Sequence, residues 1–365
     1  MDNLKDASRI FAGLRVVLTG YSGFKGSWLA LWLRLLGAEV LGFGLPAPHG
    51  PSMNAALDLD SLIPHAHIDI ANYALLAQSM KDFQPDIVFH LAAQALVRPS
   101  YQDPLHTLHT NIMGTAHVLE ACRHTASVKA AVIVTSDKCY RNNEWVWGYR
   151  ENDPMGGHDP YSASKGCAEL ITTSYIKSFF PQGEYGKTHH VAVASARAGN
   201  AIGGGDWGKD RLIPDCFRAL HAARPVHIRF PAAVRPWQHV LDCLSGYLLL
   251  GARLLEHGPR FGCGWNFAPV DPGDIWSVER VVRHICKLWG NGEYTIDASP
   301  QPHEAHALCL DCAKASRELG WHPRYRVAEA LERTTTWYRQ WMDNPDPLHM
   351  RETTLRQIQE YTEIP

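Results

Sequence analysis

Short apolar, β-branched runs recur through the first part of the chain, each followed by a stretch whose apolar residues fall every three or four places. That alternation predicts strands joined by helices. Residues 14–19, 39–43, 65–69, 86–91, 128–135 and 189–197 read as strands. Residues 27–36, 73–82, 104–124 and 161–180 read as helices, with Gly37 at the end of the first, where a helix cap belongs. Strand then helix, repeated in this way, is the pattern of an α/β chain with a doubly wound parallel sheet covered on both faces. Trp28, Leu31, Trp32 and Leu35 form the stripe of the first helix expected to pack on the sheet.

The texture changes after Arg197. Residues 198–207 are loop-forming, and proline-containing segments recur as far as Pro236. Helices are predicted over 239–256, 278–289, 313–319 and 327–342, with a short strand at 308–310 and a polar tail after the last helix. The expected organisation is a nucleotide-binding domain over 14–197, to which 237–267 returns. A smaller, mainly substrate-binding domain is then expected from 198–236 and 268–365.

Composition narrows the function. A chain of 365 residues exceeds what one hydrophobic core usually spans, in keeping with two lobes. Charged residues balance, 35 Lys and Arg against 37 Asp and Glu, so no basic field for nucleic acid is expected. The longest apolar run, 28–36, is too short for a membrane span and is broken by Arg34. The charged start, with Asp2, Lys5, Asp6 and Arg9, lacks the apolar core of a secretory signal, and the chain is expected to remain in the cytosol. Nine cysteines scattered along a long chain fit reduced thiols better than a disulfide framework. His303, His306, Cys309 and Cys312 have an arithmetic that suggests zinc. Strand character over 307–311 would send Cys309 and Cys312 apart, so no metal is expected.

Two constellations carry chemistry. The first strand ends in Gly20-Tyr21-Ser22-Gly23-Phe24-Lys25-Gly26, three glycines between a strand and a helix. One glycine allows the tight turn, one lets backbone amides approach a pyrophosphate, and one lets the helix close on the strand. The acidic residue expected at the end of the second strand, to hold a ribose, is replaced by Gly42-Phe43-Gly44-Leu45. Asp69, after the third strand, is either an adenine acceptor or a helix cap. The second constellation is Ser136-Asp137-Lys138 at the end of the fifth strand, with Tyr161 and Lys165 one helical turn apart. A lysine beside a phenol favours the phenolate, which can take a proton from an alcohol while Ser136 hydrogen-bonds the same oxygen. Asp137 and Lys138 exceed what alcohol oxidation needs and suggest a second proton transfer.

The glycine loop, Leu91-Ala92-Ala93-Gln94 and the Tyr161/Lys165 pair resemble the extended short-chain dehydrogenase/reductases, whose dinucleotide-binding part is a Rossmann fold. The stretches 23–28, 135–140, 145–151, 156–161, 198–200, 203–207 and 235–240 narrow the resemblance to the nucleotide-sugar dehydratases that act on CDP-glucose. That resemblance implies an enzyme of bacterial deoxysugar biosynthesis using bound NAD. Carbon 4 of the hexose is oxidised, water leaves across carbons 5 and 6, and the hydride returns to carbon 6. It further implies that Gly20, Tyr21, Gly23, Phe24, Lys25, Gly26, Asp69, Ile70, Leu91, Ala92, Ala93, Tyr161 and Lys165 bind the cofactor. Gln94, Asn200, Arg211, Arg235 and His303 would hold the nucleotide sugar, and a homodimer through helices 104–124 and 161–180 is expected. Two departures stand out. Tyr21 sits where the family often has His, and Lys138 replaces the Glu that serves as base in the dTDP-glucose enzymes. Asp137 as acid and Lys138 as base is the assignment favoured here, and its exchange is the alternative. A 4-epimerase or reductase would need no Asp137-Lys138 pair, and a non-catalytic sensor would need no Tyr161/Lys165 pair.

Overall fold

The computed structural model describes residues 9–46, 50–297 and 308–364, together with Leu4. Seven strands form one parallel sheet: β1 (Arg15–Thr19), β2 (Glu39–Gly44), β3 (His65–His67), β4 (Ile87–His90), β5 (Ala130–Val134), β6 (Ala192–Ala198) and β7 (Gly264–Phe267). Their order is β7-β6-β5-β4-β1-β2-β3. The longer helices are α1 (Phe24–Leu35), α2 (Tyr73–Phe83), α3 (Gly114–Arg123), α4 (Pro160–Ser178), α5 (Leu212–His221), α6 (Val240–His257), α7 (Val278–Trp289), α8 (Val327–Asp343) and α9 (Pro347–Glu363).

Inner strands are apolar on both sides because both sides are covered. Val16 and Leu18 of β1 join one core with Trp28 and Trp32 of α1, Leu248 of α6 and Tyr361 of α9. Val17 joins the other with Met80 of α2 and Val118 and Leu119 of α3. Leu35 departs from the expected stripe and is 42% exposed as the last residue of α1, whose buried residues end at Leu33.

Four further differences from the sequence reading have physical causes. β7 pairs with β6 (Trp265↔Ala196), yet its short Gly-Trp-Asn-Phe run sits among loop-like glycines and carries no strand signal. The expected polar tail is helix α9, capped by Asp346, with Met350, Thr354, Ile358 and Tyr361 buried at helical spacing under a polar outer face. The expected helix 104–124 is interrupted by a π-turn, His109–Met113, which turns Asn111 inward. The segment expected as a strand at 308–310 makes only one bridge, Leu310 to Tyr149.

Beyond the sheet, Val226–Ile228 and Tyr294–Ile296 pair in parallel beside α5 and α7. The loop Gly203–Gly205 is pinned from both sides. The Trp28 indole donates to the Gly204 carbonyl at 2.9 Å, and a Cβ on Gly204 would lie 2.0 Å from the Trp337 ring. All nine cysteines are free. No described helix is long and apolar enough to cross a membrane.

Candidate active site

The order of the sheet reverses at β1, and the loops leaving β1 and β4 part there to open a cleft at the strands' carboxyl ends. Gly20 has φ +74°, and a Cβ on it would meet the Ala92 nitrogen at 2.7 Å. A Cβ on Gly26 would lie 2.0 Å from the Gly20 carbonyl oxygen, so α1 can approach β1 only without a side chain there. The cap of α1, Gly23, offers no side chain, and the first-turn amides remain for an anion. Gly20, Gly23, Phe24, Lys25 and Gly26 line one arm of a cavity of about 1760 Å³, and Asp69, Ile70, Leu91, Ala92 and Ala93 complete that arm. Asp69 accepts from the Ala71 amide at 2.8 Å, and the cap of α2 is Asn72 instead. A bare helix start facing a long cleft with apolar walls fits a dinucleotide.

Tyr21 is not part of this wall. Its side chain is buried, packs against Gly42 and Gly44, stacks on His65 and donates to Asp60 at 2.9 Å. The expectation that it contacts the cofactor is therefore corrected. The same ring explains the missing acid on β2, since it occupies the space a side chain at Gly42 would need.

The candidate catalytic groups gather at the end of β5. Ser136 caps the short turn Asp137–Cys139, accepting from the Lys138 amide at 3.3 Å and donating to Asp137 Oδ1 at 2.9 Å. Asp137 is 2% exposed, lines the cavity, and has its Oδ2 buried without a partner. Burial raises its pKa against the pull of Lys138, Ser136, Lys25 and Arg235, which favours the neutral acid. Facing it, α4 starts with Asp159 as cap and Pro160 in its first turn, which sets Tyr161 and Lys165 on one face. Burial pushes the Tyr161 phenol up to about 12, opposed by hydrogen bonding with Ser136 and by the charge of Arg211. Burial and the charge of Lys25 bring Lys165 down to about 8, with Glu169 pulling the other way. The phenol is thus less acidic than the sequence pattern suggested, because desolvation outweighs Ser136 and Arg211.

Glu169 and Arg197, which the motif reading passed over, support this turn from behind. Glu169 sits one helical turn beyond Lys165 and accepts from Thr135 Oγ1 at 2.5 Å, Ser195 Oγ at 2.7 Å and Arg197 at 2.7 Å. Arg197 also donates to the Tyr140 hydroxyl at 2.7 Å and the Glu151 carbonyl at 2.9 Å. Asn111, brought inward by the π-turn, donates to Ser164 Oγ at 2.8 Å and bonds Gln94 through both backbone groups. Spacing of four from Lys165 is the one sequence signal that pointed to Glu169; nothing local marks Asn111.

On the other side of Tyr161 the cavity continues past Asn200, Arg211 and Arg235. Arg211 holds Asp206 at 3.0 Å and reaches the Ala95 carbonyl at 3.3 Å. Gln94 does not line the cavity. Its amide is committed to the Leu96 backbone and Thr107, fixing its own loop, which corrects the expected substrate contact. His303 lies outside the described residues. Within the tryptophan-rich motifs Trp145 and Tyr140 each stack on Tyr149, and Trp207 packs on Tyr338 and Trp341, whereas Trp147 is 69% exposed and Trp237 lines the cavity.

The model of the NAD dependent epimerase/dehydratase family matches residues 16–264. A CDP-glucose 4,6-dehydratase from Salmonella typhimurium is 51% identical over 338 residues, covering 92% of this chain and 93% of the relative. A dTDP-glucose 4,6-dehydratase from Streptomyces antibioticus is 30% identical, covering 77% of each chain. Among solved structures, the dTDP-glucose 4,6-dehydratase DesIV from Streptomyces venezuelae, determined with NAD bound, superposes with TM-score 0.77 at 25% identity over 92% of this chain and 100% of that one. With the glycine loop, the switch-point cleft and the Ser136, Tyr161 and Lys165 constellation already in place, the match settles descent: this chain belongs to the NAD dependent epimerase/dehydratase family.

Proposed function

We propose that the chain is a CDP-glucose 4,6-dehydratase, a NAD-dependent hydro-lyase that forms CDP-4-keto-6-deoxyglucose. The observation that carries the reading is Asp137, a buried carboxyl biased toward its neutral form, with one oxygen unpartnered beside Lys138 in the cavity that also holds Tyr161 and Lys165. Identity of 51% to a curated CDP-glucose 4,6-dehydratase supports the substrate.

Gly20, Gly23, Phe24, Lys25, Gly26, Asp69, Ile70, Leu91, Ala92 and Ala93 would hold the NAD, with Tyr161 and Lys165 at its reactive end. When bound, NAD supplies the oxidising equivalent for carbon 4 and the reducing equivalent for carbon 6, so the net redox change is zero. Tyr161 takes the proton of the 4-hydroxyl, with Ser136 hydrogen-bonded to that oxygen. The carbon-4 ketone acidifies the proton on carbon 5, which Lys138 removes. Asp137 gives its proton to the 6-hydroxyl, which leaves as water, and Lys138 returns its proton to carbon 5 as carbon 6 is reduced. Asn200, Arg211 and Arg235 hold the sugar diphosphate, the arginines as planar forks for phosphate oxygens. Segments 198–236 and 268–365 supply most of the sugar side.

The deciding experiment incubates the protein with CDP-glucose and NAD and follows the sugar by mass. Loss of one water is expected, unchanged mass with a new isomer would mean epimerisation, and no conversion would mean binding alone. Lys138→Met is expected to form the 4-keto hexose, trapped by borohydride, while releasing no water and taking up no solvent deuterium at carbon 5. Normal water release by that variant would remove Lys138 from the role.

We also infer a homodimer through the face carrying Leu105, Met113 and Leu170, which are 77%, 44% and 60% exposed on neighbouring helices.

A further inference from the structure

Past Arg211 and Arg235 the cavity does not end. It runs on between α5 and the paired strands Val226–Ile228 and Tyr294–Ile296, lined by Leu212, Asp215, Ala219, His227, Arg229 and Phe230. The charges of Arg211 and Arg235 act on Tyr161 and Asp137, so those arginines stand at the hexose end. Asp215 lies four residues beyond Arg211, about 6 Å further along the helix axis, toward the far end of the arm. What occupies that far end in a nucleotide sugar is the base.

The wall there is charged in an ordered way. Asp215 is bridged by Arg218, one turn on, and Arg218 is itself fixed by the Trp207 and Gly208 carbonyls at 3.1 Å each. The bridge orients the carboxylate and engages one of its oxygens. Arg229 follows directly on the strand Val226–Ile228, whose Val226 and Ile228 are buried while His227 turns to the cavity and bonds Thr295 at 2.8 Å. Its ion pair with Asp210 spans 3.5 Å, longer than a good hydrogen bond, and its charge acts on Asp215 as well. An oriented acceptor and a guanidinium donor thus share one patch of wall.

We infer that Asp215 and Arg229 read the base edge, Asp215 accepting from the exocyclic amine of cytosine and Arg229 donating to its ring nitrogen and carbonyl oxygen. The inference rests on the CDP-sugar reading above and adds the residues that choose the nucleotide. Cytosine carries a donor at carbon 4 and an acceptor at ring position 3, whereas uracil and thymine carry the reverse. A carboxylate opposite carbon 4 therefore attracts the first base and repels the other two, which is selection by an unfavourable contact as much as by a favourable one.

The test compares kcat/KM for CDP-glucose and UDP-glucose, with calorimetric binding of CDP and UDP alongside. The native protein is expected to prefer the cytidine compounds by on the order of a hundredfold or more. Asp215→Asn is expected to cut that preference at least roughly tenfold, the loss falling on KM for CDP-glucose, because an amide can face either base. Arg229→Gln, just past the facing strand, carries the same expectation should the helix variant fail to fold. An unchanged ratio in both variants, a native protein without preference, or a collapse produced instead by Asp297→Asn, which lines the same arm, would overturn the inference. Failure of the dehydratase reading looks different: no water is lost from any nucleotide glucose, while an Asp215-dependent preference for CDP over UDP in binding would still uphold the site.

Discussion

At the scale of single residues, Tyr21 accounts for two glycines that no motif explains. A Cβ on Gly42 would lie 2.4 Å from its ring, and one on Gly44 would touch the same ring at 3.3 Å. Gly42→Ala is accordingly expected to destabilise the fold by about 1–3 kcal/mol through overpacking. In a Tyr21→Ala background the same change should cost less, with a coupling of about 0.5–3 kcal/mol in a double-mutant cycle followed by urea unfolding. Strict additivity would mean that some other neighbour forbids the side chain. Residues whose work is local were legible in the chain. Ser136, Asp137 and Lys138 are contiguous, Tyr161 and Lys165 are a helical turn apart, and all five meet in one cavity. Glu169 was marked only by its spacing from Lys165 and Arg197 by nothing, because their partners come from the end of β5, from β6 and from the loop before α4, and only the sheet brings these together. Tyr21 and Gln94 misled for the opposite reason: each sits inside a recognisable motif, yet the Tyr21 side chain turns away to pack on Gly42 and bond Asp60, and that of Gln94 bonds its own loop.

Among elements, the joint between α6 and α9 has a titration built into it. Asp242, in the first turn of α6, accepts from the Arg324 amide at 2.7 Å and the Tyr361 hydroxyl at 2.9 Å, while its second oxygen is buried without a partner. Burial pushes its pKa up to about 7, against the hydrogen bonds from Arg324 and Tyr361. A carboxyl with a folded pKa above its unfolded one keeps its proton longer in the native state. Between about pH 4 and 7 the native state binds more protons, so this group's contribution falls as pH rises and is flat above about 7. Asp242→Asn, which keeps the acceptor and fills the orphaned position with a donor, should therefore gain on the native protein across that window. The comparison is made by thermal unfolding at stepped pH, and a difference independent of pH would show that Asp242 stays ionised. Elements with strong periodicity were readable, α7 to the residue over 278–289. β7 was hidden by its length and glycines. α9 was hidden by composition, since its buried face is partly threonine and glutamine, which become core residues only once α8 and α1 lie against them.

For the whole molecule, the proposed pairing of two copies makes a direct prediction. Leu170 is exposed in the middle of α4, the helix that carries Tyr161 and Lys165 at its start. Leu170→Glu is expected to shift the mass measured by light scattering from two chains to one, and an unchanged mass would take α4 out of the interface. Because the same helix would serve both, conversion of CDP-glucose is expected to weaken along with the pairing.

The pinning of Gly203–Gly205 reaches further than packing. An indole near the start of the chain and an indole near its end close on the same tripeptide, which joins the cavity-lining residues Ile202 and Asp206. Tyr361 of the last helix packs on Trp32 of the first and shares its core with β1, so the carboxyl end supports the sheet as well as this tripeptide. Frameshifts, premature stops or trimming of the carboxyl end would thus be felt in both halves at once, as lost stability together with lost turnover.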